Sequence, residues 1–270
     1  MKIQLFLMAL LVVPSFFLEA ASFDCTKAVS SAEKMICREP ILNTFDEILG
    51  AKYRDLRSLL SPQQQKILKK EQLEWWEQRD GQCSYGVSEC IPIYGQRIGE
   101  LHHQIALESL KRELPNVTSM DQLINNPNFL EFLAARYNRL YDSVVETEDY
   151  VREMGSIGAM YRALKGKGDD LVFENGLLFG SACSKVSCRG KKGFILVDPE
   201  TLDAVFGAIS FYDTLDRYFP DNPQLILFYS NDEFFEQNKN FIVNRVKTTT
   251  KVTKVVPVRA YDFEYDTYEY

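Results

Sequence analysis

Apolar positions along the chain change their period once, and the change divides the sequence. In the first part Leu42, Phe45, Leu49, Tyr53, Leu56 and Leu60 recur at spacings of three and four, one stripe of a single helix. Thr44-Phe45-Asp46-Glu47 reads as a capping box for it. Ser61-Pro62-Gln63-Gln64 opens the next helix, with Ser as N-cap and Pro in the first turn. That helix is expected to run to about Arg79 and to stop at Asp80-Gly81. Ser88 caps a third long helix, with Tyr94, Ile98 and Leu101 on one face, and a shorter helix is expected around Ser31 to Cys37. Short connections between long helices predict an up, down and up arrangement.

Leu114-Pro115-Asn116-Val117 breaks this pattern. Asn126-Pro127 signals a further helix, with Phe129, Leu133, Tyr137, Leu140 and Val144 as its stripe. After Gly166 the runs shorten to strand length: Leu171 to Phe173, Leu177 to Cys183, Phe194 to Val197, Ala204 to Ile209, Leu225 to Tyr229, Phe241 to Val243 and Val255 to Arg259. Turn residues separate several of them, among them Glu174-Asn175-Gly176 and Asp198-Pro199-Glu200. The pattern predicts a mostly antiparallel β-sheet with a packed helix.

The first residues bear on the compartment. Lys2 is followed by an uncharged apolar run from Ile3 to Leu18, and then by the small residues Ala20-Ala21-Ser22. This is the pattern of a secretory leader over residues 1–22. Cleavage after Ser22 places Ala at −3 and Ser at −1; cleavage after Ala20 or Ala21 also remains open. The run is about 16 residues, short for a membrane span. Phe23-Asp24 ahead of Cys25 does not fit a lipid-attachment site, so no membrane anchor is expected. A periplasmic or secreted protein keeps its cysteines oxidised. The six cysteines, Cys25, Cys37, Cys83, Cys90, Cys183 and Cys188, are therefore expected to form three disulfides. Cys25, Cys37, Cys83 and Cys90 allow three pairings.

The expected fold class is thus α+β in two domains. Residues 23–113 form a disulfide-tied bundle of three to four helices, and residues 114–270 form the mostly antiparallel sheet with its helix. With 46% hydrophobic residues there is enough apolar side chain for packed cores, which excludes a disordered chain. The net charge is −7, a poor match for phosphate backbones, so no nucleic-acid partner is expected. Residues 22–113 carry 14 acidic and 13 basic groups, and residues 114–270 carry 23 and 17, so the surplus lies in the second segment. The cysteine spacings and the two adjacent histidines, His102 and His103, offer no zinc-ligand pattern, and no metal or other cofactor is expected. No nucleophile elbow, unpaired cysteine or phosphate loop is present in the sequence, which argues against an enzyme.

Phe23-Asp24-Cys25-Thr26-Lys27-Ala28 and Glu33-Lys34-Met35-Ile36-Cys37 begin a longer series. Leu42 with Asp46, Tyr53, Gln72 with Trp75, Trp76, Arg79 and Cys83, then Cys90, Tyr94, Arg97, Ile98 and Leu101 continue it. This series resembles the LprI N-terminal domain family of secreted bacterial proteins, which is named from a lysozyme inhibitor. Gln72, Trp75 and Arg79 share a helical stripe, and a Gln and an Arg among apolar neighbours must be hydrogen-bonded or paired. An internal polar tie is the expected role.

In the second segment Gly180-Ser181-Ala182-Cys183-Ser184-Lys185-Val186-Ser187-Cys188 precedes Phe194-Ile195-Leu196-Val197 and Val205-Phe206-Gly207. This is similar to the inhibitor of vertebrate lysozyme (Ivy) family. There a Cys-closed loop enters the lysozyme cleft, and a His in it meets the catalytic acids. Val186 stands where that His would be. The resemblance implies a Cys183–Cys188 loop whose Ser184, Lys185, Val186 and Ser187, with Arg189 beside it, contact a lysozyme. The expected function is a secreted lysozyme inhibitor with a protein partner. The alternative is an envelope assembly or immunity protein that binds another peptidoglycan hydrolase.

Overall fold

The computed structural model describes residues 22–137, 164, 166–169, 171–183, 192–210, 223–249, 251–252 and 254–259. Residues 1–21 of the expected leader lie outside them, as do Leu140 and Val144 of the expected stripe. The chain divides into two compact units. One holds the chain up to Arg54 together with Pro62–Gly99; the other holds Asp55–Ser61 and everything from Glu100 onward.

The helical part contains a 3-10 turn at Cys25–Lys27, then α1 (Ser31–Arg38), α2 (Pro40–Leu59), α3 (Pro62–Cys83) and α4 (Val87–Glu113). The core of the first unit includes Ile36, Leu42, Leu49, Leu68, Trp75 and Tyr94, all buried. Cys25 pairs with Cys37 and Cys83 with Cys90, at Cα separations of 5.7 and 4.5 Å. Of the three pairings the sequence allows, the structure holds the one between neighbours in the chain.

Three helix boundaries differ from the sequence expectation. α2 begins at Pro40, four residues before Thr44, and the Thr44 hydroxyl donates to the carbonyl of Pro40 at 3.0 Å inside the helix. The capping box belongs to α1 instead. There Glu33 N–H donates to Ser30 Oγ at 3.0 Å, and Ser30 N–H donates to Glu33 Oε2 at 2.9 Å. α3 continues through Asp80-Gly81 to Cys83. One exposed Gly costs a helix only about 1 kcal/mol, and the Arg79–Asp80 pair and the Cys83 disulfide hold the last turn. α4 starts at Val87, and the Ser88 hydroxyl donates to Glu89 Oε2 rather than capping the helix.

The second unit contains a 3-10 turn at Leu114–Asn116, α5 (Met120–Ile124), α6 (Pro127–Tyr137) and α7 (Asp232–Thr249). Its strands are β1 (Val172–Glu174), β2 (Leu177–Cys183), β3 (Lys192–Val197), β4 (Ala204–Ser210), β5 (Gln224–Tyr229) and β6 (Lys254–Arg259). They lie in that order in one sheet, antiparallel from β1 to β5, with β6 parallel to β5. A parallel pair needs a crossover, which α7 supplies. Asn126 caps α6 as expected, its side-chain oxygen accepting from the N–H groups of Asn128 and Phe129. Asn175-Gly176 forms the two-residue β1–β2 turn, both with positive φ (54° and 82°).

The sheet is covered on both faces. One face places Leu178, Ile195, Val197, Phe206 and Phe228 against Met120, Leu123, Phe129, Phe132 and Leu133 of α5 and α6. The other places Phe194, Leu196, Val205, Leu225 and Leu227 against Phe234, Phe235, Ile242 and Val246 of α7. Phe241–Val243, expected as a strand, lies inside α7. The β-branched run imitates a strand, but Asn231 caps the helix by accepting from Phe234 N–H at 3.1 Å. Phe235, Ile242 and Val246 then fall on one helical face.

Candidate functional site

Two places in the molecule bring chemistry-bearing residues together. The first is the end of the β2–β3 hairpin. The pairing runs from Leu178 opposite Val197 to Cys183 opposite Lys192, so the segment after Cys183 leaves from the last rung of the ladder. That rung is fixed from the side by residues 167–169. Cys183 N–H donates to the Lys167 carbonyl at 3.1 Å and Asp169 N–H to the Ser181 carbonyl at 2.8 Å, with a bridge between Gly168 and Ala182. The buried Ser181 hydroxyl donates to the Asp169 carboxylate. Met120 fills the space left by two glycines. A Cβ on Gly168 would lie 2.4 Å from Met120 Cβ, and one on Gly180 would lie 2.4 Å from Met120 Sδ. Lys192 projects over the Phe194 ring at 5.6 Å. Cys183 is disulfide-bonded. Ser184, Lys185, Val186, Ser187, Cys188 and Arg189 lie outside the described residues.

The second place is a polar cluster in the helical unit. Asp46, Gln72, Arg79 and Arg97 are buried there, beside Trp75 and Tyr94. Tyr94 of α4 donates its hydroxyl to Asp46 Oδ1 of α2 at 2.7 Å. Arg79 of α3 has its guanidinium 3.9 Å from the same oxygen and makes two bonds to Asp80 Oδ1, at 2.9 and 2.7 Å. It also lies 5.7 Å from the Trp75 ring centre. Arg97 of α4 donates to Gln72 Oε1 of α3 at 3.2 Å. The Trp75 and Tyr94 rings meet edge to face at 5.2 Å.

Electrostatics locks this arrangement. Burial, and then the Asp46 carboxylate, push the Tyr94 hydroxyl well above the ordinary tyrosine range, so it remains a donor. Burial works against the charge of Arg79, but Tyr94 and Asp80 outweigh it and hold the guanidinium above its usual value. The cluster therefore joins α2, α3 and α4 by a fixed set of donors and acceptors. The sequence singled out Gln72, Trp75 and Arg79. It did not identify Asp46 as the shared acceptor or Tyr94 as its donor, and the signal available was a lone Asp within the apolar stripe of α2. Among the described residues no group of three or more His, Cys, Asp or Glu side chains is placed to hold a metal ion. Among them, too, no helix is long and apolar enough to cross a membrane.

No curated protein and no solved structure matches the chain. Residues 25–114, a stretch that contains α1 to α4, both described disulfides and the whole polar cluster, match the family model described as Lysozyme inhibitor LprI.

Proposed function

We propose that this protein is a secreted inhibitor of lysozyme, and that its second half delivers a disulfide-closed loop, Cys183 to Cys188, into the enzyme's cleft. The observation that carries the reading is the match of residues 25–114 to the lysozyme-inhibitor family. Three further features support it. Cys183 is bonded, and Cys188 is the only other cysteine of the six not paired in the helical unit. Closing a six-residue loop removes about 2 kcal/mol of chain entropy before docking, which lowers the cost of ordering it on a partner. The ladder below the loop is anchored by Lys167, Asp169 and Met120.

A glycosidase cleft carries two carboxylates. Ser184, Lys185, Ser187 and Arg189 are all donors, so the loop is chemically suited to such a site. Residues 114–270 carry a net −6, which favours encounter with a basic enzyme at low salt. In this reading the half from Leu114 onward makes the contact and residues 23–113 fold separately as a disulfide-tied helical unit.

Lysis assays with the whole oxidised chain and its loop variants test the proposal. Lys185 is the only charged side chain strictly inside the loop. Truncating one partner of a desolvated charge pair costs about 2–5 kcal/mol, or roughly 30- to several-thousand-fold in affinity. Lys185→Ala is expected to weaken inhibition on that scale, and Lys185→Glu more. Losses below about threefold for both would remove Lys185 from the contact and leave Val186 and the loop backbone.

A further inference from the structure

We propose that leader removal leaves Ser22 on the mature chain, because Ser22 closes a site built around the buried carboxylate of Asp46. The processing part of this inference rests on the secretion reading above.

Asp46 is 1% exposed, and its two oxygens are divided between different partners. Oδ1 takes the Tyr94 hydroxyl at 2.7 Å and has Arg79 at 3.9 Å. Oδ2 takes both donors of Ser22, the backbone N–H at 2.7 Å and the hydroxyl at 2.5 Å. One helical turn further along α2, Gly50 leaves room for the approach: a Cβ there would lie 2.7 Å from Ser22 Cβ. The glycine and the aspartate at i and i+4 thus form one slot on one face of α2. The Cys25–Cys37 disulfide begins three residues later and tethers the start of the chain to α1.

Small residues at −3 and −1 permit cleavage after Ser22, with Ala20 and Ser22 in those positions. That cut would discard the two donors on Asp46 Oδ2. A buried carboxylate oxygen left without its donors is costly, because nothing replaces the water it lost. Cleavage at Ala20–Ala21 or at Ala21–Ser22 keeps both donors. In the second case the Ser22 nitrogen becomes the amino terminus, and the contact becomes an ion pair.

The test exports the full chain with its own leader, recovers the mature protein and reads its first residue by intact mass and N-terminal sequencing. A start at Ala21 or Ser22 is expected; a start at Phe23 overturns the proposal. A chain that still begins with Met1 overturns the leader reading instead, and the anchor is then decided by melting temperature. For that, chains starting at Ser22 and at Phe23 are produced behind a foreign cleavable leader. The Phe23 start is expected to melt about 5 °C or more below the Ser22 start. In an Asp46→Asn background the gap should shrink to about 1 °C, as required of two groups that act on each other. Equal melting temperatures in the Asp46 background overturn the anchor.

Discussion

In the helical unit Asp46, Gln72, Arg79 and Arg97 are buried, and each has at least one polar contact on a different helix or on the segment before α1. In the sheet unit the two clusters that cover the β-sheet are apolar throughout, and Ser181 is the only buried polar side chain among its described residues. The difference follows from how register is set. Amphipathic helices can slide or rotate past one another with little loss of apolar burial. Hydrogen-bonded side chains and the two disulfides remove that freedom. A β-ladder already has its register fixed by backbone pairing and by the Asn175-Gly176 turn. The sheet unit therefore needs only well-packed Leu, Ile, Val and Phe. The helical unit should fail when one polar partner is removed, and the sheet unit when a cavity is opened.

Asp46→Ala is the largest expected break. It leaves Tyr94, Arg79 and both Ser22 donors without their shared acceptor, and should cost about 3–5 kcal/mol by denaturant titration. A cost below about 1 kcal/mol would move the stability of this unit onto its disulfides and apolar contacts. Phe206→Ala is the matching test in the sheet unit. Phe206 is fully buried against Phe129 and Phe132, and the cavity should also cost about 3–4 kcal/mol. If the comparison holds, Phe206→Leu recovers much of that loss, whereas Asp46→Leu recovers little of its own.

Replacing Cys83 and Cys90 together by Ala should cost about 2–3 kcal/mol, from the chain entropy returned to the unfolded state. The smallest effect is at the capping box. The N–H groups of Ser30 and Val29 hold the Glu33 carboxyl below the ordinary glutamate value of 4.5. Its folded pKa is depressed, so its stabilisation is present above that value and is lost as pH falls below it. Glu33→Gln should be mildly destabilising at pH 7, and the gap from the wild type should narrow as pH falls below 4.5.

The sequence was most legible where the signal is local. Ser31 to Cys37, the Pro62 start of α3, the Asn126 cap of α6 and the apolar runs of β2 to β5 all announce themselves within a few residues. Boundaries failed where a local signal had a competitor, as at Thr44 inside α2 and at Phe241–Val243 inside α7. The Asp46 tie was hidden for a different reason: its partners Ser22 and Tyr94 lie 24 and 48 residues away, and no period encodes them. Cys183, Cys188 and the residues between them were visible as a spacing. The support that Lys167 and Asp169 give β2 was not, because Gly166 read only as a break.

The central claim is that the whole chain inhibits a lysozyme, and a titration of the purified, fully oxidised protein tests it most directly. Increasing amounts are added to a fixed amount of each enzyme in a panel of lysozymes and bacterial muramidases, and the rate of cell-wall lysis is followed. Saturable loss of activity approaching one inhibitor per enzyme is expected for at least one lysozyme, and should weaken as salt is raised. Lysis rates that stay unchanged for every lysozyme at micromolar protein would contradict the account. Inhibition confined to a bacterial muramidase would do so as well, by assigning the loop to another peptidoglycan hydrolase.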